Sequence, residues 1–401
     1  MLVKILNLLR SIVSQTSANA TPIGRRRLLS GLAASAAAVG LVPVNSSVAR
    51  AALPDYISGS VIQGLLNNAR DGRGARDSAG RFVARPAPGT YLLTRPLVIF
   101  ANTHLDLTGI RIVSRFPATG VQRTMLINSV PTGTRGYAGA GNIAITGGSW
   151  DPVWDFAQRG VPDDAPPMNV LTLTHCSDVV IDAVTIWNVK WWHAIEFNAV
   201  RRGAVRGSSL KGWIADPANG LWHGEAVQLD IPASGNTWAG AADLTPCLDI
   251  VIWGNLCDTS GSQLGWGQLT GSHTLDAAHP HVGIRVEGNT VRNSRYDAIG
   301  AANAQQVRIV DNLVENCAGG IYVKSTANGP LRTIDVIGNQ LDGIGARDAI
   351  AIRAESTAAI GDVLVSGNSV DCTEVHYYGP VEFRPGSPSE CQSSSMRRET
   401  K

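Results

Sequence analysis

The sequence predicts an all-β fold, a parallel β-solenoid, because one short pattern recurs along the C-terminal half of the chain. Four segments read apolar-x-apolar-x-Gly/Asp-Asn, and they end at Asn289, Asn312, Asn339 and Asn368. These asparagines lie 23, 27 and 29 residues apart. Alternating apolar residues are typical of strands, and a repeat this short cannot bury its own apolar face. The repeats must therefore stack on one another.

Weaker copies of the pattern extend the solenoid toward the N-terminus, and they end at Gly148, Val184, Ser208 and Asn255. The 47-residue step from Ser208 to Asn255 holds either a long loop or a coil whose first strand has no clear pattern. Long insertions on a solenoid usually border its binding face. We also expect each turn asparagine to adopt the left-handed conformation and to hydrogen-bond along the stack.

Each coil also contains a second strand, and six such strands can be aligned. The third and fifth columns of the alignment are apolar and are predicted to face inward. The fourth and sixth columns then face solvent on one continuous sheet, because side chains alternate along a strand. The aligned segments are 193–198, 225–230, 297–302, 319–324, 348–353 and 379–384.

Length and charge favour one elongated domain and argue against a nucleic-acid partner. The chain has 401 residues, but the repeats run without a break from about residue 141 to residue 384. Residues 1–51 contain six basic and no acidic side chains, so the remainder has 28 basic against 32 acidic residues, a formal charge of −4. A nucleic-acid surface would need a basic excess.

The basic N-terminus is interpreted as an export signal. Three arginines at 25–27 open an Ala/Gly-rich, moderately apolar stretch, and Ala-Arg-Ala at 49–51 offers a small-x-small cleavage site. This arrangement resembles a twin-arginine signal, with an ordinary secretory signal or a membrane anchor as the alternative. The mature chain is then secreted, without a membrane segment, and the twin-arginine export machinery is a partner. The predicted divisions are a signal peptide over 1–51, a β-helix domain over 52–384 and a disordered tail over 385–401.

The six cysteines are predicted to remain mostly unpaired, buried thiols. Cys176 and Cys247 occupy one column of the stack with at least one coil between them, so roughly twice 4.8 Å separates them. That distance exceeds the reach of a disulfide, about 7 Å between Cα atoms. The chain has no Cys-x-x-Cys pair, so no metal site is predicted.

The segment before the repeats supplies further elements of a known architecture. It contains a helix-like run at 61–69, Pro-Ala-Pro-Gly-Thr-Tyr at 86–91 and an apolar strand after Pro96. With the Asn-turn coils and Gly-Gly-Ser-Trp-Asp at 147–151, these features resemble the pectate-lyase-like, or pectin-lyase-fold, proteins over about residues 55–384. The resemblance implies a single-stranded right-handed parallel β-helix with a short N-terminal capping helix. Such proteins include hydrolases, lyases, epimerases and phage tailspikes, so the fold does not fix the reaction.

Three motifs make the chain similar to secreted bacterial β-helix proteins related to glycosidases. They are His-Ala-Ile-Glu at 193–196, Gly-Glu-Ala-Val-Gln-Leu-Asp at 224–230 and Gly-Ser-His-Thr at 271–274. The chain departs from polygalacturonases in most of their characteristic elements, so the resemblance does not extend to pectin hydrolysis. The acid-rich calcium site of pectate lyases is also absent as a motif. No cofactor is therefore expected, and calcium enters only if the protein is a lyase.

The second strands bring a pair of carboxylates together. If the coils carrying Glu196 and Gln228 are adjacent, Glu196 and Asp230 are diagonal neighbours with about 8 Å between their Cα atoms. An inverting glycosidase needs about 6.5–9.5 Å between its two carboxyl groups. Glu225 lies beside His193, where an imidazolium would keep one carboxylate ionised while a less solvated one stays protonated.

Further polar residues surround this pair. Asn198 and Gln228 share its outward columns, and His273 on the following coil is placed to bind a sugar hydroxyl or to share the proton. Two coils later the same columns hold Gly300 and Ala302, so the polar residues are local to one region. The alternative interpretation is an ordinary solvated face of a solenoid.

Two more groups of residues are candidates for binding sugar. Lys324, Arg353 and Arg384 form a row spaced by about 4.8 Å, which suits the carboxylates or sulfates of an acidic glycan. The alternative is that these side chains only keep the sheet soluble. Trp191 and Trp222 flank the strand starts and are the preferred platforms for stacking on sugar rings.

These observations lead to one hypothesis and two alternatives. We expect a carbohydrate-active enzyme that cleaves a polysaccharide by hydrolysis, with Glu196, Glu225 and Asp230 as its acid/base set. The first alternative is a lyase that acts on an acidic glycan by β-elimination. The second is a non-catalytic glycan-binding surface protein. The sequence predicts no oligomeric state.

Overall fold

The computed structural model describes residues 55–117, 124–235, 237–325, 329, 331–354 and 359–370, together with the backbone of strands at 375–378, 381–383 and 398–399. The predicted signal peptide, 1–51, lies outside the described residues. Within the tail predicted over 385–401, only Arg398–Glu399 are described, as a short strand. In the described part of the chain, no helix is both long and apolar enough to cross a membrane.

The described chain is mostly strand, as predicted, with two α-helices, α1 (Ser60–Arg70) and α2 (Trp154–Gln158), and 3-10 turns at Pro162–Asp164 and Pro217–Asn219. The strands are β1 (Ile57–Ser58), β2 (Phe82–Ala84), β3 (Gly89–Leu93), β4 (Leu97–Ile99), β5 (Thr103–Ser114), β6 (Thr124–Asn128), β7 (Ile143–Asp151), β8 (Asn169–Asp182), β9 (Thr185–Lys190), β10 (Ile195–Arg206), β11 (Ser209–Ile214), β12 (Glu225–Asp230), β13 (Leu248–Trp253), β14 (Leu256–Asp258), β15 (Gln268–Gly271), β16 (His281–Glu287), β17 (Thr290–Arg292), β18 (Asp297–Ala302), β19 (Ala304–Val310), β20 (Leu313–Glu315), β21 (Gly319–Lys324), β22 (Leu331–Ile337), β23 (Gln340–Asp342), β24 (Ile350–Arg353), β25 (Ile360–Ser366), β26 (Ser369–Val370), β27 (Val375–Tyr378), β28 (Val381–Phe383) and β29 (Arg398–Glu399).

Every paired strand among these is parallel to its partner, so the chain winds as a right-handed parallel β-helix. Sheet 1 contains the strands that lead into the Asn turns, namely the second half of β10 with β13, β16, β19, β22 and β25. Sheet 2 contains the short strands after those turns, from β9 and β11 through β26. Sheet 3 contains β6, the first halves of β8 and β10, β12 and β15, and further along β18, β21, β24 and β27.

A coil therefore has three strands where the sequence indicated two. The missed strands belong to sheet 2, and most are only three residues long with a single buried residue in the middle, such as Val291 or Val314. One buried residue gives no alternation, so the period-2 pattern cannot reveal such a strand.

The interior of the coils is a continuous apolar core. The inward residues of all three sheets are buried, as in Ile195, Phe197, Ile250 and Ile252. Burial of such side chains contributes roughly 1.5–3 kcal/mol each. Helix α1 is the predicted cap, because it buries Ile62, Leu66 and Ala69 against the first coils.

The turn asparagines form the predicted ladder. Asn289 is typical: its Nδ2 donates to Asn312 Oδ1 (2.9 Å) and to the carbonyl of Ile252 (2.9 Å), and its backbone N–H donates to the same Oδ1 (3.0 Å). The ladder members, in order, are Ser208, Asn255, Asn289, Asn312, Asn339 and Asn368.

The expected left-handed conformation of these asparagines is wrong. The positive φ lies one residue earlier, as at Gly288 (φ 60°) and Asp311 (φ 55°). The reversal at that preceding residue leaves the asparagine side chain buried, where it bonds to the next coil. Glycine is common at the earlier position because it adopts positive φ without steric cost.

The long step from Ser208 to Asn255 contains one coil with long loops. Strands β11 and β12 belong to this coil, and β12 pairs directly with β10. The described residues between β12 and β13, 231–235 and 237–247, form the 231–247 loop. The first of the two interpretations of this step, a long loop, is therefore correct.

The predicted row of three basic residues is wrong at its last member. Lys324 pairs with Arg353, but the next residue in the row is Tyr378 of β27. Residues 381–383 form β28, which pairs with β25 in sheet 1, and Arg384 itself lies outside the described residues. The chain has already passed through sheet 3 before it reaches this segment, so its alternation was assigned to the wrong sheet.

The described cysteines agree with the expectation of buried thiols. Cys176, Cys247, Cys257 and Cys317 are free and buried. Val200 lies between Cys176 and the coil of Cys247, which confirms that one coil separates those two residues.

Candidate functional site

The register of sheet 3 brings the predicted carboxylate pair together. Glu196 of β10 lies opposite Gln228 of β12, and Asn198 lies opposite Asp230. Glu196 and Asp230 are therefore diagonal neighbours on adjacent coils, as the sequence predicted. Each acid has an amide side chain opposite it and another two residues away on its own strand.

These four side chains are not on a solvated face, and that expectation is wrong. Only 3% of Glu196 and 2% of Asp230 is exposed, and Asn198 and Gln228 are fully buried. The cover comes from two segments without strand periodicity. The 231–247 loop lays the Trp238 indole on Glu196, and the residues after β15 bring Thr274 onto Asp230.

Glu196 accepts hydrogen bonds from three side chains. Trp238 Nε1 donates to Glu196 Oε1 (2.6 Å), Asn198 Nδ2 donates to the same oxygen (3.3 Å), and Asn169 Nδ2 donates to Oε2. Burial, followed by the nearby charge of Asp230, raises the pKa of Glu196 to about 8, while these hydrogen bonds lower it. Glu196 is thus protonated at neutral pH.

Asp230 accepts hydrogen bonds from Thr274 and Gln228. The backbone N–H and hydroxyl of Thr274 donate to it at 3.0 and 2.9 Å, and Gln228 Nε2 donates to Oδ1 at 2.8 Å. Burial raises its pKa, and the neighbouring His273 opposes that rise. Gln228 Oε1 is buried and has no hydrogen-bond partner among the described residues. A proton on Glu196, directly opposite, would supply a donor to this oxygen.

A second cluster lies where β10 and β12 begin. His193 Nδ1 is 3.6 Å from Glu225 Oε2, and the rings of His193 and His273 are 5.5 Å apart between centroids. His273 Nδ1 is 3.9 Å from Asp230 Oδ2, which links this cluster to the buried pair. One ligand atom from each of His193, Glu225 and His273 lies within 4.8 Å of the others, close enough to converge on one ion.

The predicted imidazolium at His193 is wrong. Burial, with the neighbouring His273, lowers the pKa of His193 to about 3, so its ring is neutral. His193 Nδ1 donates to the backbone carbonyl of Glu225 (3.0 Å) rather than to the carboxylate. Burial raises the pKa of Glu225 as well. His273 is the open member of the cluster, with 58% of its side chain exposed.

The predicted sugar-binding residues are spread over a wider surface. Trp222, 57% exposed, precedes β12 by three residues, whereas Trp191 is half-buried with the Lys190 ammonium 5.2 Å from its ring centre. Lys324 and Arg353 belong to β21 and β24. Lys324 lies three coils beyond Asp230 in sheet 3, about 14 Å along the stack. The structure does not bring these two basic residues to the acids.

The sequence missed three residues that complete the site, Asn169, Trp238 and Thr274. Thr274 belongs to the Gly-Ser-His-Thr motif at 271–274, but nothing in a loop sequence indicates which strand the loop covers. The sequence also did not indicate a group of stacked side chains on the surface, because its members come from separate loops. His223 stacks on Tyr296 with 4.0 Å between ring centres, and the Arg347 guanidinium lies 3.7 Å from the Tyr296 ring centre.

Comparisons with known proteins agree with this architecture. The family model described as "Right handed beta helix region" matches residues 265–384. A search of curated proteins gives no match. The chain is therefore a right-handed parallel β-helix protein with a pectin-lyase-like fold.

Among solved structures, the chain is similar to PfbA, a surface adhesin of Streptococcus pneumoniae, with 15% identity and a TM-score of 0.61 over 80% of this chain and 86% of that one. A second structure of PfbA gives 14% identity and a TM-score of 0.58 over 85% of this chain and 99% of that one. An exopolygalacturonase of Thermotoga maritima matches with 13% identity and a TM-score of 0.49 over 80% of this chain and 87% of that one. At these identities the similarity concerns the fold alone.

Proposed function

We propose that this protein is an exported carbohydrate-active enzyme that hydrolyses glycosidic bonds of a polysaccharide, with Glu196 as general acid and Asp230 as general base. The observation that carries the proposal is that these buried diagonal neighbours do not hold their protons equally, because the charge of Asp230 adds to burial in raising the pKa of Glu196. Burial beside Asp230 keeps Glu196 protonated at neutral pH, with a pKa of about 8. Asp230 is held as an acceptor by Thr274 and Gln228. Acid/base catalysis requires one carboxyl group in each state.

In this reaction Glu196 gives its proton to the oxygen of the leaving sugar as the glycosidic bond breaks. Asp230 takes a proton from a water molecule, whose oxygen bonds to the anomeric carbon. The register makes the two acids diagonal neighbours on adjacent coils, and an inverting pair needs room for that water between its carboxyl groups. Glu225, His193 and His273 then line the approach to the pair.

The covered position of Glu196 sets a condition on the substrate. The Trp238 indole donates to Glu196 Oε1, in the place where a glycosidic oxygen would have to lie. Substrate reaches the acid only when this indole leaves it. A Trp238→Ala variant should therefore retain or gain activity toward short oligosaccharides. If the indole instead served as a platform for a sugar ring, the variant would lose that activity.

The test uses the purified mature protein with neutral and acidic polysaccharides, following new reducing ends and ultraviolet absorbance together. Hydrolysis gives reducing ends without absorbance, and Glu196→Gln and Asp230→Asn should each lower turnover by about 10²- to 10⁴-fold. Glu287→Gln is the matched control, because Glu287 pairs with Arg285 on sheet 1, away from the site. Reducing ends together with absorbance would replace hydrolysis by β-elimination.

One observation favours a second candidate, a glycan-binding surface protein without catalysis. Both carboxylates are covered, and in this candidate their role is to hold Trp238 and Thr274 in place while exposed groups contact the glycan. Trp222, which is 57% exposed three residues before β12, is the candidate for this contact. For such a protein, Trp222→Ala weakens glycan binding, Glu196→Gln leaves binding intact, and no polysaccharide of the panel is cleaved.

A further inference from the structure

We infer that His193, Glu225 and His273 form a binding site for a divalent transition-metal ion of the zinc class. The three residues come from the starts of two neighbouring strands and from the segment that follows β15. Their ligand atoms lie within 4.8 Å of one another. Ligands on one zinc ion are about 3–3.5 Å apart, given metal–ligand distances of about 2.0–2.2 Å. Rotation of the exposed His273 ring, and of the Glu225 carboxylate toward His193 Nε2, would supply the difference.

The state of His193 suits a metal ligand. Its Nδ1 is 3.0 Å from the Glu225 backbone carbonyl, and that oxygen can only accept. The proton therefore sits on Nδ1, and Nε2 keeps its lone pair. Ligand histidines in metalloproteins commonly donate their other ring N–H to a backbone carbonyl, which fixes the tautomer and the ring orientation.

Glu225 lacks the partners that a nearly buried carboxylate needs. Among the described residues, no arginine or lysine forms an ion pair with it, and no side chain donates a hydrogen bond to its carboxylate. An uncompensated carboxylate in such a place is costly, and a cation bound between it and two imidazoles would compensate it. Asp230, 3.9 Å from His273 Nδ1, adds a second negative group behind the histidine.

The ligand types select the class of ion. Calcium and magnesium take oxygen ligands, whereas two imidazoles with one carboxylate suit zinc, iron, cobalt, nickel or manganese. The site thus differs from the calcium expected for a lyase. Because more than half of the His273 side chain is exposed, the outer coordination positions face solvent. A water molecule or a sugar oxygen can occupy them.

The experiment titrates chelator-treated, tag-free mature protein with Zn²⁺ against a chromophoric chelator, and records Co²⁺ absorption in the visible region. One equivalent should bind, and His273→Ala and Glu225→Gln should each weaken binding by at least about tenfold and abolish the cobalt bands. His279→Ala is the matched control, since His279 is also exposed and pairs with Asp276 at 2.7 Å. It should leave both readouts unchanged.

Three results would overturn the inference: no binding of Zn²⁺ by the wild-type protein, equal affinity in the His273→Ala variant, or equal competition by Ca²⁺. His273 is exposed, so its replacement does not endanger folding. The measurement contains no glycan and is independent of turnover. Failure of the metal site and failure of the proposed hydrolysis are therefore observed separately.

Discussion

Replacing Glu196 with glutamine should change how the stability of the protein depends on pH. The pKa of Glu196 is about 8 in the folded protein and 4.5 as its ordinary value. Between those two values the unfolded chain has released the proton and the folded protein has kept it. The free energy of unfolding of the wild-type protein therefore falls as pH rises through this interval. At about 1.4 kcal/mol for each pH unit, the full contribution is at most about 5 kcal/mol.

Glutamine has the same shape and does not titrate, so Glu196→Gln loses this contribution. The stability of the variant relative to wild type should increase from about pH 5 to about pH 8 and then level off. Urea unfolding followed by tryptophan fluorescence at several pH values measures this difference. Glu287→Gln is the control, because it removes a surface ion pair worth at most about 1 kcal/mol.

If the difference in the free energy of unfolding between Glu196→Gln and wild type stays constant within about 1 kcal/mol over this pH range, the raised pKa of Glu196 is refuted. Glu196 would then be ionised throughout, held by its three donors against the cost of burial. Its assignment as the general acid would fail with it, because an ionised carboxylate has no proton to give. The same titration therefore bears on the environment of the residue and on the proposed chemistry.

Four further predictions concern the same framework. Asn312→Ala should destabilise the protein by about 1–3 kcal/mol in urea unfolding, since a buried backbone N–H loses its acceptor; an unchanged midpoint would contradict the ladder. Trp238→Phe removes a hydrogen bond that lowers the pKa of Glu196, so the pH at which stability levels off should move upward rather than downward. Gly320→Ala should prevent stable folding, because its Cβ would meet a backbone oxygen of the next coil at 2.0 Å. Gly64→Ala, in open space on α1, should instead gain up to about 1 kcal/mol; comparable thermal stability of the two variants would contradict both expectations.

The sequence predicted the register of the solenoid well, because every coil contributes to the same signal. The diagonal placement of Glu196 and Asp230 follows from two strands with alternating apolar residues, and the structure has that register. The ladder from Asn255 to Asn368 was visible for the same reason. Features that repeat are sampled many times along one chain, so a single irregular coil does not hide them.

The environment of the acids could not be predicted, because it depends on residues that do not repeat. Trp238 and Thr274 reach the pair from loops whose sequences carry no period. These loops bury side chains that would otherwise face solvent, and burial raises the pKa of Glu196 and lowers the pKa of His193. The misplaced Arg384 has a related cause, since the last coils are unequal in length and alternation alone does not assign a strand to a sheet.

The asparagine ladder links each coil to its neighbours along the stack, so the unfolding of the protein depends mainly on interactions between successive coils. Each coil touches chiefly the coils before and after it, so its stability is shared with two neighbours and with few others. Loss of the Asn312 side chain would interrupt the ladder, so that the coils before Asn312 and the coils after it would unfold as two separate units. The C-terminal unit, beyond that point, would exchange its amide hydrogens first, while the unit that contains Glu196 and Asp230 kept its protection.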